Sequence, residues 1–223
     1  MEEKRLIVPS PAIVVEHQAG GGPGYLRMLF QERGIPVKVV QAHKQDIPEE
    51  VAARFLILMG YDYPVQQMPW YEEELAVIKA HLQSRKPVMG VCAGGELITL
   101  ALGGKVKHLK HRQYGWTPVQ APIGLAWVFE WHEDYFETPP GASLFVRGGP
   151  EDLCQAYIGP GYLGTQFHPE MTAEIVDSWT NRDPNVSVTR NEENREKLRS
   201  SQQLARELVD RVVAMETDDW VRG

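Results

Sequence analysis

Residues 90–96, with the sequence Gly-Val-Cys-Ala-Gly-Gly-Glu, constrain the fold of this chain more than any other segment. The apolar residues before them predict a short buried strand, and the apolar run at residues 97–102 predicts a buried helix that ends at two glycines. Gly90 and Gly94 leave room for the backbone in so sharp a strand-to-helix turn. We therefore expect Cys92 at the tip of the turn, above a helix N-terminus whose dipole favours the thiolate over the thiol.

Two interpretations of Cys92 are open at this point. A cysteine on a sharp turn between a strand and a helix stands clear of the backbone, which is the geometry of a catalytic nucleophile. A free cysteine beside a glycine turn is also a common small core residue. Since a nucleophilic cysteine needs a base within reach, the rest of the chain decides between the two interpretations.

A second segment, Gly-Thr-Gln-Phe-His-Pro-Glu at residues 164–170, supplies a candidate base. Pro169 restricts the residue before it to extended backbone, so His168 is expected in β geometry. Side chains two positions apart in an extended chain share a face, which puts Glu170 beside His168. A carboxylate there keeps one ring nitrogen protonated and leaves the other free to accept the thiol proton of Cys92. The competing interpretation of this segment alone is a histidine at a strand end that pairs with a surface glutamate.

Together, these two segments resemble the class I (triad-type) glutamine amidotransferases. Within that family, the chain looks similar to the free-standing members that resemble the glutaminase half of GMP synthetase. The resemblance extends over most of the chain. Its supporting segments are Leu58-Met59-Gly60, Met68-Pro69-Trp70, Leu102-Gly103-Gly104, Tyr114-Gly115-Trp116, Trp131-His132-Glu133-Asp134 and Gln155-Ala156.

The resemblance implies hydrolysis of the side-chain amide of glutamine. In the family, a cysteine attacks the amide, a histidine protonates the departing ammonia, and water then hydrolyses the γ-glutamyl thioester. By similarity, Cys92 is the nucleophile and His168 is the general acid and base. Glu170 is the residue that orients the imidazole.

The oxyanion hole of the family corresponds here to the amide of Ala93 and to an amide of the glycine loop at Gly60 and Tyr61. Where the family usually has Gly-Gly-Pro, this chain has Gly60-Tyr61-Asp62. A residue other than glycine at the second position restricts the backbone and adds a ring near the pocket. We therefore expect an altered second oxyanion donor.

The resemblance also points to substrate-binding residues. The family's turn usually ends in a glutamine that helps to hold the amino-acid end of the substrate, and Glu96 replaces it here. A carboxylate at this position can hold an α-ammonium group but repels a nearby carboxylate, so we expect an altered tolerance around the γ-glutamyl group. Tyr114, Gly115 and Trp116 match the family segment whose backbone meets the glutamine carboxylate. A turn that carries a core tryptophan is an equally good interpretation of that segment, and His132 is expected in a structural or rim position.

Composition limits the class of protein. With 223 residues, a single domain over residues 1–223 is expected. The 23 basic and 30 acidic residues give a net charge of −7, which argues against nucleic-acid binding. No apolar stretch approaches the ~20 residues that span a bilayer, and the N-terminal residues do not resemble a secretory signal. Two cysteines provide no disulfide framework, and Cys154 is expected in the core, so we expect a cytoplasmic protein.

The alternation of short apolar runs with amphipathic segments predicts an α/β fold. We expect a single doubly wound, mostly parallel sheet, flanked by helices and flavodoxin-like, with an added antiparallel section. The predicted elements are strands at 12–15, 37–40 and 55–58, helices at 72–83 and 192–215, antiparallel strands between 106 and 166, and a polar loop at 181–191.

Two further patterns have features of ligand sites. The glycine-rich segment 20–24 follows a strand and opens a helix, but it has neither the dinucleotide spacing nor a Walker ending, so a turn is favoured and no cofactor is expected. Three histidines, His108, His111 and His132, lack supporting thiols and lie near basic residues, so no metal site is expected. The basic residues at 107–112 form a local positive patch. A solvated loop is its default interpretation, with an acidic substrate or a partner protein as alternatives.

Three functional hypotheses follow. The leading one is hydrolysis of glutamine to glutamate and ammonia, with the ammonia passed to a synthetase or ligase that acts in trans. The second is a stand-alone hydrolase or peptidase that removes a γ-glutamyl group from a small conjugate. The third is a catalytically silent relative that serves as a regulatory or binding subunit.

Overall fold

A computed structural model describes residues 10–44, 53–183, 186, 188 and 191–216 of the chain. Nine strands and five α-helices lie within these residues. The strands are β1 (Ala12–Glu16), β2 (Val37–Gln41), β3 (Phe55–Leu58), β4 (Val88–Val91), β5 (Val106–Ala121), β6 (Gly124–Phe136), β7 (Ser143–Gly148), β8 (Leu153–Gly159) and β9 (Tyr162–Thr165). The helices are α1 (Gly24–Glu32), α2 (Tyr71–Gln83), α3 (Ala93–Ala101), α4 (Ala173–Thr180) and α5 (Glu192–Ala214), with a short 3-10 helix at Val65–Gln67.

The strands form one mixed sheet in the order β2-β1-β3-β4-β9-β8-β7-β5-β6. The first five of these strands are parallel to one another, and the last four join them as antiparallel neighbours. Parallel neighbours need crossover connections, and α1, α2 and α3 follow β1, β3 and β4 in that role. This arrangement confirms the predicted α/β sheet with an added antiparallel section.

Helices cover both faces of the parallel half of the sheet. On one face, α1 and α5 contribute buried leucines to a core that includes Leu26, Leu29, Leu204 and Leu208. On the other face, α2 and α3 contribute Val77, Ile78, Leu97 and Ile98. The inner strands β1, β3 and β4 are buried along their whole length and are apolar apart from Glu16, whereas the edge strand β2 carries Lys38 and Gln41 and is only partly buried.

Most predicted elements are present with small shifts of their ends. The helix predicted at 72–83 begins one residue earlier, at Tyr71, and the last helix ends one residue before the predicted 215. The basic segment at 107–112 is not a loop, because it lies within β5 of the long β5–β6 hairpin. The N-terminal residues 1–9 and residues 184, 185, 187, 189 and 190 of the predicted polar loop lie outside the described residues. None of the described helices combines the length and the apolar character that a membrane span requires.

The carboxyl ends of the parallel strands lie at one edge of the sheet. β1 leads into His17, β3 into Gly60, β4 into Cys92 and β9 into His168. Ligands of open α/β sheets bind at this edge, where helices and loops diverge from the strand ends.

Candidate active site

The turn that carries Cys92 is as sharp as its glycines predict. Cys92 has φ 51° and ψ −114°, a left-handed conformation that few non-glycine residues adopt. A Cβ atom on Gly94 would lie 2.2 Å from the carbonyl oxygen of Leu58, and one on Gly90 would lie 2.3 Å from the carbonyl oxygen of Gly94. The two glycines therefore allow β3, β4 and α3 to approach closely enough to form the turn.

His168 and Glu170 form a buried pair that the backbone after β9 holds in place. The amide of His168 donates to the carbonyl oxygen of Phe129 at 2.9 Å, and Nδ1 of His168 lies 2.7 Å from Oε1 of Glu170. Because a carboxylate accepts, Nδ1 donates and Nε2 is left as the acceptor. Nε2 is buried and has no hydrogen-bond partner among the described residues. The ring meets Trp179 edge-on at a centroid distance of 4.7 Å.

The end of the glycine-rich segment 20–24 packs against the backbone of Glu170. The amide of Tyr25 donates to the carbonyl oxygen of Glu170 at 2.8 Å. A Cβ atom on Gly24, which has φ 40°, would lie only 2.2 Å from that same oxygen. The segment is therefore a turn that packs α1 against the histidine segment, in agreement with the favoured interpretation.

Cys92 and His168 meet beside Gly60. A Cβ atom built on Gly60 would lie 3.6 Å from Cβ of Cys92 and 3.2 Å from Cε1 of His168. Gly60, Cys92 and His168 line one small cavity, together with Glu170 and Trp131. The thiol donates a long contact of 4.0 Å to the carbonyl oxygen of Trp131, and no hydrogen bond joins it to the imidazole. Catalytic hydrogen bonds of this kind often tighten only in the substrate complex.

The electrostatic environment of Cys92 differs from the expectation. Burial raises the pKa of the thiol well above its ordinary value, and the carboxylates of Glu96, Glu170 and Asp62 add to the effect. A hydrogen bond from the amide of Ala93 lowers this pKa but is outweighed. The helix N-terminus thus acts in the predicted direction through the amide of Ala93, but in the free protein burial opposes the charged form more strongly.

The backbone amides of the expected oxyanion hole lie around the same cavity. The amide of Ala93 hydrogen-bonds the thiol, and Gly60 and Tyr61 line the cavity. Within the described part of the chain, the amides of Gly60 and Tyr61 have no hydrogen-bond acceptor, whereas that of Asp62 donates to Oε1 of Gln18 at 3.0 Å. The 59–62 loop thus leaves two neighbouring N–H groups unused.

Tyr61 fits without the backbone freedom of the glycine that it replaces. Its φ is not positive, since the described non-glycine residues with positive φ are Arg85, Cys92 and Asp152. Its ring packs edge-on against His17 and Trp70, at centroid distances of 6.4 and 6.1 Å. The backbone at this position is therefore accommodated without a positive φ, and the ring lies against His17 and Trp70.

Glu96 is buried in the first turn of α3 and is tied to the strand that carries the histidine. Its Oε1 accepts a hydrogen bond of 2.9 Å from Nε2 of Gln166, whose own Oε1 accepts from the amide of Phe136 at 3.2 Å. Burial raises the pKa of Glu96 to about 7, although the Gln166 hydrogen bond opposes the rise. The Asp134 carboxylate raises this pKa further and His132 lowers it.

A larger cavity also opens at Cys92 and shares Tyr61, Asp62 and Trp131 with the first. Its lining carries both signs of charge, with acidic groups from Glu96 and Asp134 and a basic group from Arg112. The Arg112 guanidinium lies 5.4 Å from the ring centroid of Trp131 and contacts Glu133 at 3.5 Å. The lining consists of Tyr61, Asp62, Tyr63, Pro64, Cys92, Glu96, His108, Arg112, Trp131, His132, Glu133 and Asp134.

The segment Tyr114-Gly115-Trp116 is set back from both cavities. Tyr114 packs against Trp131, which lines both cavities, with a ring-centroid distance of 5.9 Å. Trp116 packs edge-on against Phe129 at 5.1 Å and lines a separate cleft beside α4 and α5. The structure therefore brings Glu96 to the thiol but places Trp116 away from it, partly buried within β5 against Phe129 and not in a turn.

The histidines of the hairpin pair with acidic residues. His132 is bonded through Nε2 to Glu130 at 2.8 Å and through Nδ1 to the carbonyl oxygen of Asp134 at 2.7 Å. Burial lowers the pKa of His132, but the Glu130 carboxylate outweighs it and the net shift is upward. Nδ1 of His108 lies 2.7 Å from Oδ1 of Asp134. His132 is thus a buried structural residue that also lines the rim of the larger cavity.

Sequence reasoning did not assign roles to several residues of the site. Trp131 and Arg112 line the larger cavity, Trp179 packs against His168, and His17 contacts the 59–62 loop. Trp131 opens one of the segments on which the resemblance rests, and Arg112 belongs to the basic patch at 107–112, for which an acidic substrate is one interpretation. The others come from distant parts of the chain whose convergence depends on the tertiary fold.

A model of the glutamine amidotransferase class-I family matches residues 25–182 of this chain. The chain belongs to the class I glutamine amidotransferase family. The match contains the Cys92 turn and the His168 and Glu170 pair, and it confirms the resemblance. Family membership agrees with a glutamine-hydrolysing enzyme.

Relatives and solved structures agree with this assignment. A glutamine-hydrolysing GMP synthase of Bdellovibrio bacteriovorus is 40% identical over 98 residues, which cover 41% of this chain and 19% of the relative. One of Alkaliphilus metalliredigens is 33% identical over 132 residues, covering 52% of this chain and 24% of the relative. The chain thus matches about a fifth to a quarter of the length of these relatives.

A crystal structure of a glutamine amidotransferase from Methylobacillus flagellatus superposes with a TM-score of 0.77 and 26% identity, covering 93% of this chain and 94% of the other. A glutamine amidotransferase from Thermotoga maritima shares the fold, with a TM-score of 0.73 and 19% identity over 96% of this chain and 99% of the other.

Proposed function

We propose that this protein hydrolyses the γ-amide of glutamine through a thioester on Cys92. The observation that supports the proposal most directly is that Cys92 and His168 are close to the same position beside Gly60. A Cβ atom built on Gly60 would lie 3.6 Å from Cβ of Cys92 and 3.2 Å from Cε1 of His168. A nucleophile and a base that share one cavity, with a carboxylate bonded to the far nitrogen of the base, have the geometry of a catalytic triad.

In the first half of the reaction, Sγ of Cys92 bonds to the amide carbon. Since burial keeps the thiol protonated, its proton passes to Nε2 of His168 as the bond forms. The charge that develops on the amide oxygen is stabilised by the amide of Ala93 and by the unused amides of Gly60 and Tyr61. The carbon–nitrogen bond then breaks, the nitrogen takes the proton from His168, and ammonia leaves.

In the second half, water hydrolyses the thioester. His168 accepts a proton from the water as its oxygen bonds to the acyl carbon, and then returns that proton to the departing sulfur of Cys92. Glutamate and the free thiol are the products. Throughout, Glu170 keeps Nδ1 protonated and stabilises the imidazolium that forms.

The larger cavity suits the amino-acid end of glutamine. That end carries an ammonium and a carboxylate, and the cavity offers Glu96 and Asp134 for the first and Arg112 for the second. Tyr114 and Gly115 are not among the described residues that line the cavity, and Tyr114 packs against Trp131, which does line it. The substrate class is therefore an L-γ-glutamyl amide.

The ammonia is proposed to pass to a synthetase or ligase that acts in trans. The support for this step is that relatives of the chain are GMP synthases described as glutamine-hydrolysing. A protein of this kind is expected to turn over slowly alone and to accelerate when its acceptor enzyme is added.

One observation favours a second candidate, a stand-alone γ-glutamyl hydrolase. Tyr61 and Glu96, where the chain departs from the usual family pattern, both line the larger cavity beside Cys92, which favours a substrate other than glutamine itself. Such an enzyme would release an amine in place of ammonia. It would turn over a small γ-glutamyl conjugate unaided and faster than glutamine.

The test is covalent labelling with a diazoketone analogue of glutamine, followed by intact mass measurement. The proposal expects one adduct per chain, which is lost in Cys92→Ala and retained in the matched variant Cys154→Ala. No adduct on the wild-type protein, or an adduct that survives Cys92→Ala, would favour the silent regulatory subunit. Measuring ammonia and amine release from glutamine and from γ-glutamyl p-nitroanilide then separates the two enzymatic candidates.

A further inference from the structure

His17, directly after β1, is almost fully buried and makes two hydrogen bonds that the proposed mechanism does not use. Nδ1 lies 2.8 Å from the carbonyl oxygen of Met59, and Nε2 lies 2.8 Å from Oε1 of Glu74 on α2. A carbonyl oxygen only accepts, so Nδ1 carries the proton of the first bond. Trp70 stacks on the imidazole at a centroid distance of 6.3 Å and an angle of 11°, which fixes the plane of the ring.

The bond to Met59 acts on the peptide group that carries the amide of Gly60. The carbonyl of Met59 and the N–H of Gly60 belong to one planar trans peptide, so they point in opposite directions. A hydrogen bond that holds the carbonyl therefore also holds the direction of the N–H. It also polarises the peptide, which makes that N–H a stronger donor.

A second contact of His17 lies on the other side of Gly60, at Tyr61. The ring of Tyr61 packs edge-on against His17, so His17 touches the loop on both sides of Gly60. The next residue, Gln18, also binds this loop, because its Oε1 accepts a hydrogen bond of 3.0 Å from the amide of Asp62. Glycine has the largest backbone freedom of any residue, so the position of this loop depends on such outside contacts.

We propose that His17 is a positioning residue for the oxyanion hole. It holds the 59–62 loop so that the unused amides of Gly60 and Tyr61 face the charge that develops on the substrate. Glu74 and Trp70 hold His17 in turn, and the carboxylate of Glu74 anchors the imidazole from the side away from Met59. This role rests on the proposed thioester chemistry, because only a tetrahedral intermediate places an oxyanion in the cavity.

The test compares two side chains of equal shape at position 17. Removing His17 alone would leave the Glu74 carboxylate buried without its partner, so both variants carry Glu74→Leu. Asparagine places an amide nitrogen near the position of Nδ1 and still donates to Met59, whereas leucine has the same shape and no donor. A third change, Cys154→Ala, leaves Cys92 as the one cysteine.

Two reactions of Cys92 are measured for each variant. Hydrolysis of γ-glutamyl p-nitroanilide passes through an oxyanion, whereas alkylation by iodoacetamide is a direct displacement that does not. For His17→Leu, kcat is expected to fall by about 10- to 100-fold with KM changed less than about threefold, below the loss that removing a whole oxyanion donor causes. For His17→Asn, kcat is expected to be restored to most of its original value. The alkylation rate of both variants is expected to stay within about twofold of that of the reference protein, which carries Cys154→Ala alone.

The outcomes separate this role from the others. Equal kcat values for the leucine and asparagine variants would overturn it, because the donor to Met59 would then be without effect. A parallel fall in hydrolysis, in alkylation and in the midpoint of thermal unfolding would mean that His17 is only structural. Absence of hydrolysis by the wild-type protein, together with absence of the diazoketone adduct on Cys92, would overturn the proposed function itself and any role of His17 in it.

Discussion

Nε2 of Gln166 lies 2.9 Å from Oε1 of Glu96, and both side chains are buried. The hydrogen bond favours the carboxylate, but burial outweighs it and raises the pKa of Glu96 to about 7 from an ordinary value of 4.5. The folded protein therefore binds a proton between pH 4.5 and pH 7 that the unfolded chain has already released. Its free energy of unfolding falls as the pH rises through this window.

The first prediction is that Glu96→Gln becomes stabilising, relative to the wild type, as the pH rises. Glutamine has nearly the same shape, keeps an acceptor for Gln166, and does not titrate in this range. Between pH 5 and pH 8 the variant should gain about 1 to 3 kcal/mol on the wild type, as measured by urea unfolding at both values. The control Glu73→Gln, on an exposed position of α2, should show no such gain. A stability difference that is equal at both pH values would contradict the prediction.

The second prediction concerns the reactivity of Cys92. Burial and the Glu96 carboxylate are the two largest causes that raise the pKa of this thiol. Glu96→Gln removes the second, so the thiolate fraction at a given pH should increase. In a Cys154→Ala background, we expect alkylation by iodoacetamide at pH 8 to accelerate by about 3- to 10-fold. An unchanged rate would mean that Glu96 is already protonated or is screened from the sulfur.

The sequence predicts the scaffold of the site because the relevant signals are local. Two glycines two positions from Cys92 predict a sharp turn, and the structure shows backbone contacts that any side chain would prevent. Pro169 and the two-residue spacing predict that His168 and Glu170 share a face, and their atoms meet at 2.7 Å. Each of these predictions needs only the conformation of a few consecutive residues.

The protonation state of Cys92 could not be predicted in the same way. The helix dipole is a local property, whereas burial depends on residues such as Trp131 and His168, which reach the thiol from β6 and from the segment after β9. The same limit applies to Tyr61, whose ring finds space between His17 and Trp70. His17 and Glu74 are 57 positions apart, and no periodic pattern links them.

The third prediction is that Gly94→Ala prevents stable folding. Its Cβ would lie 2.2 Å from the backbone oxygen of Leu58, and neither the helix nor the strand can move without opening the turn. We expect a loss of more than about 3 kcal/mol of unfolding free energy, seen as insoluble or unfolded protein. The matched control is Gly22→Ala, whose Cβ would have its nearest neighbour at 4.0 Å, and it should change stability by less than about 0.5 kcal/mol. Equal stability of the two variants would contradict the close packing of this turn.

The fourth prediction is that Arg112→Met weakens substrate binding more than catalysis. Methionine keeps an unbranched apolar stem over Trp131 but removes the guanidinium that is proposed to meet the substrate carboxylate. We expect KM for the γ-glutamyl substrate to rise about 10-fold or more, with kcat reduced less than about threefold. Lys110→Met, an exposed cation on the same strand, serves as the control for a general change of charge. A rise in KM that is equal in both variants would assign the effect to net charge.

The fifth prediction tests whether Cys92 and His168 react at the position beside Gly60 that lies close to both side chains. In Gly60→Ala, the new methyl group would lie 3.2 Å from Cε1 of His168 and 3.6 Å from Cβ of Cys92, so the imidazole must move by a few tenths of an ångström. It would also stand where the substrate amide is proposed to bind. We expect kcat/KM to fall by at least about 100-fold, because small errors of position in a proton-transfer geometry are costly. The midpoint of thermal unfolding should change little, because the methyl group enters a cavity and displaces only the ring of one side chain. Retained activity in a folded Gly60→Ala protein would mean that the reacting groups of this enzyme meet at another point.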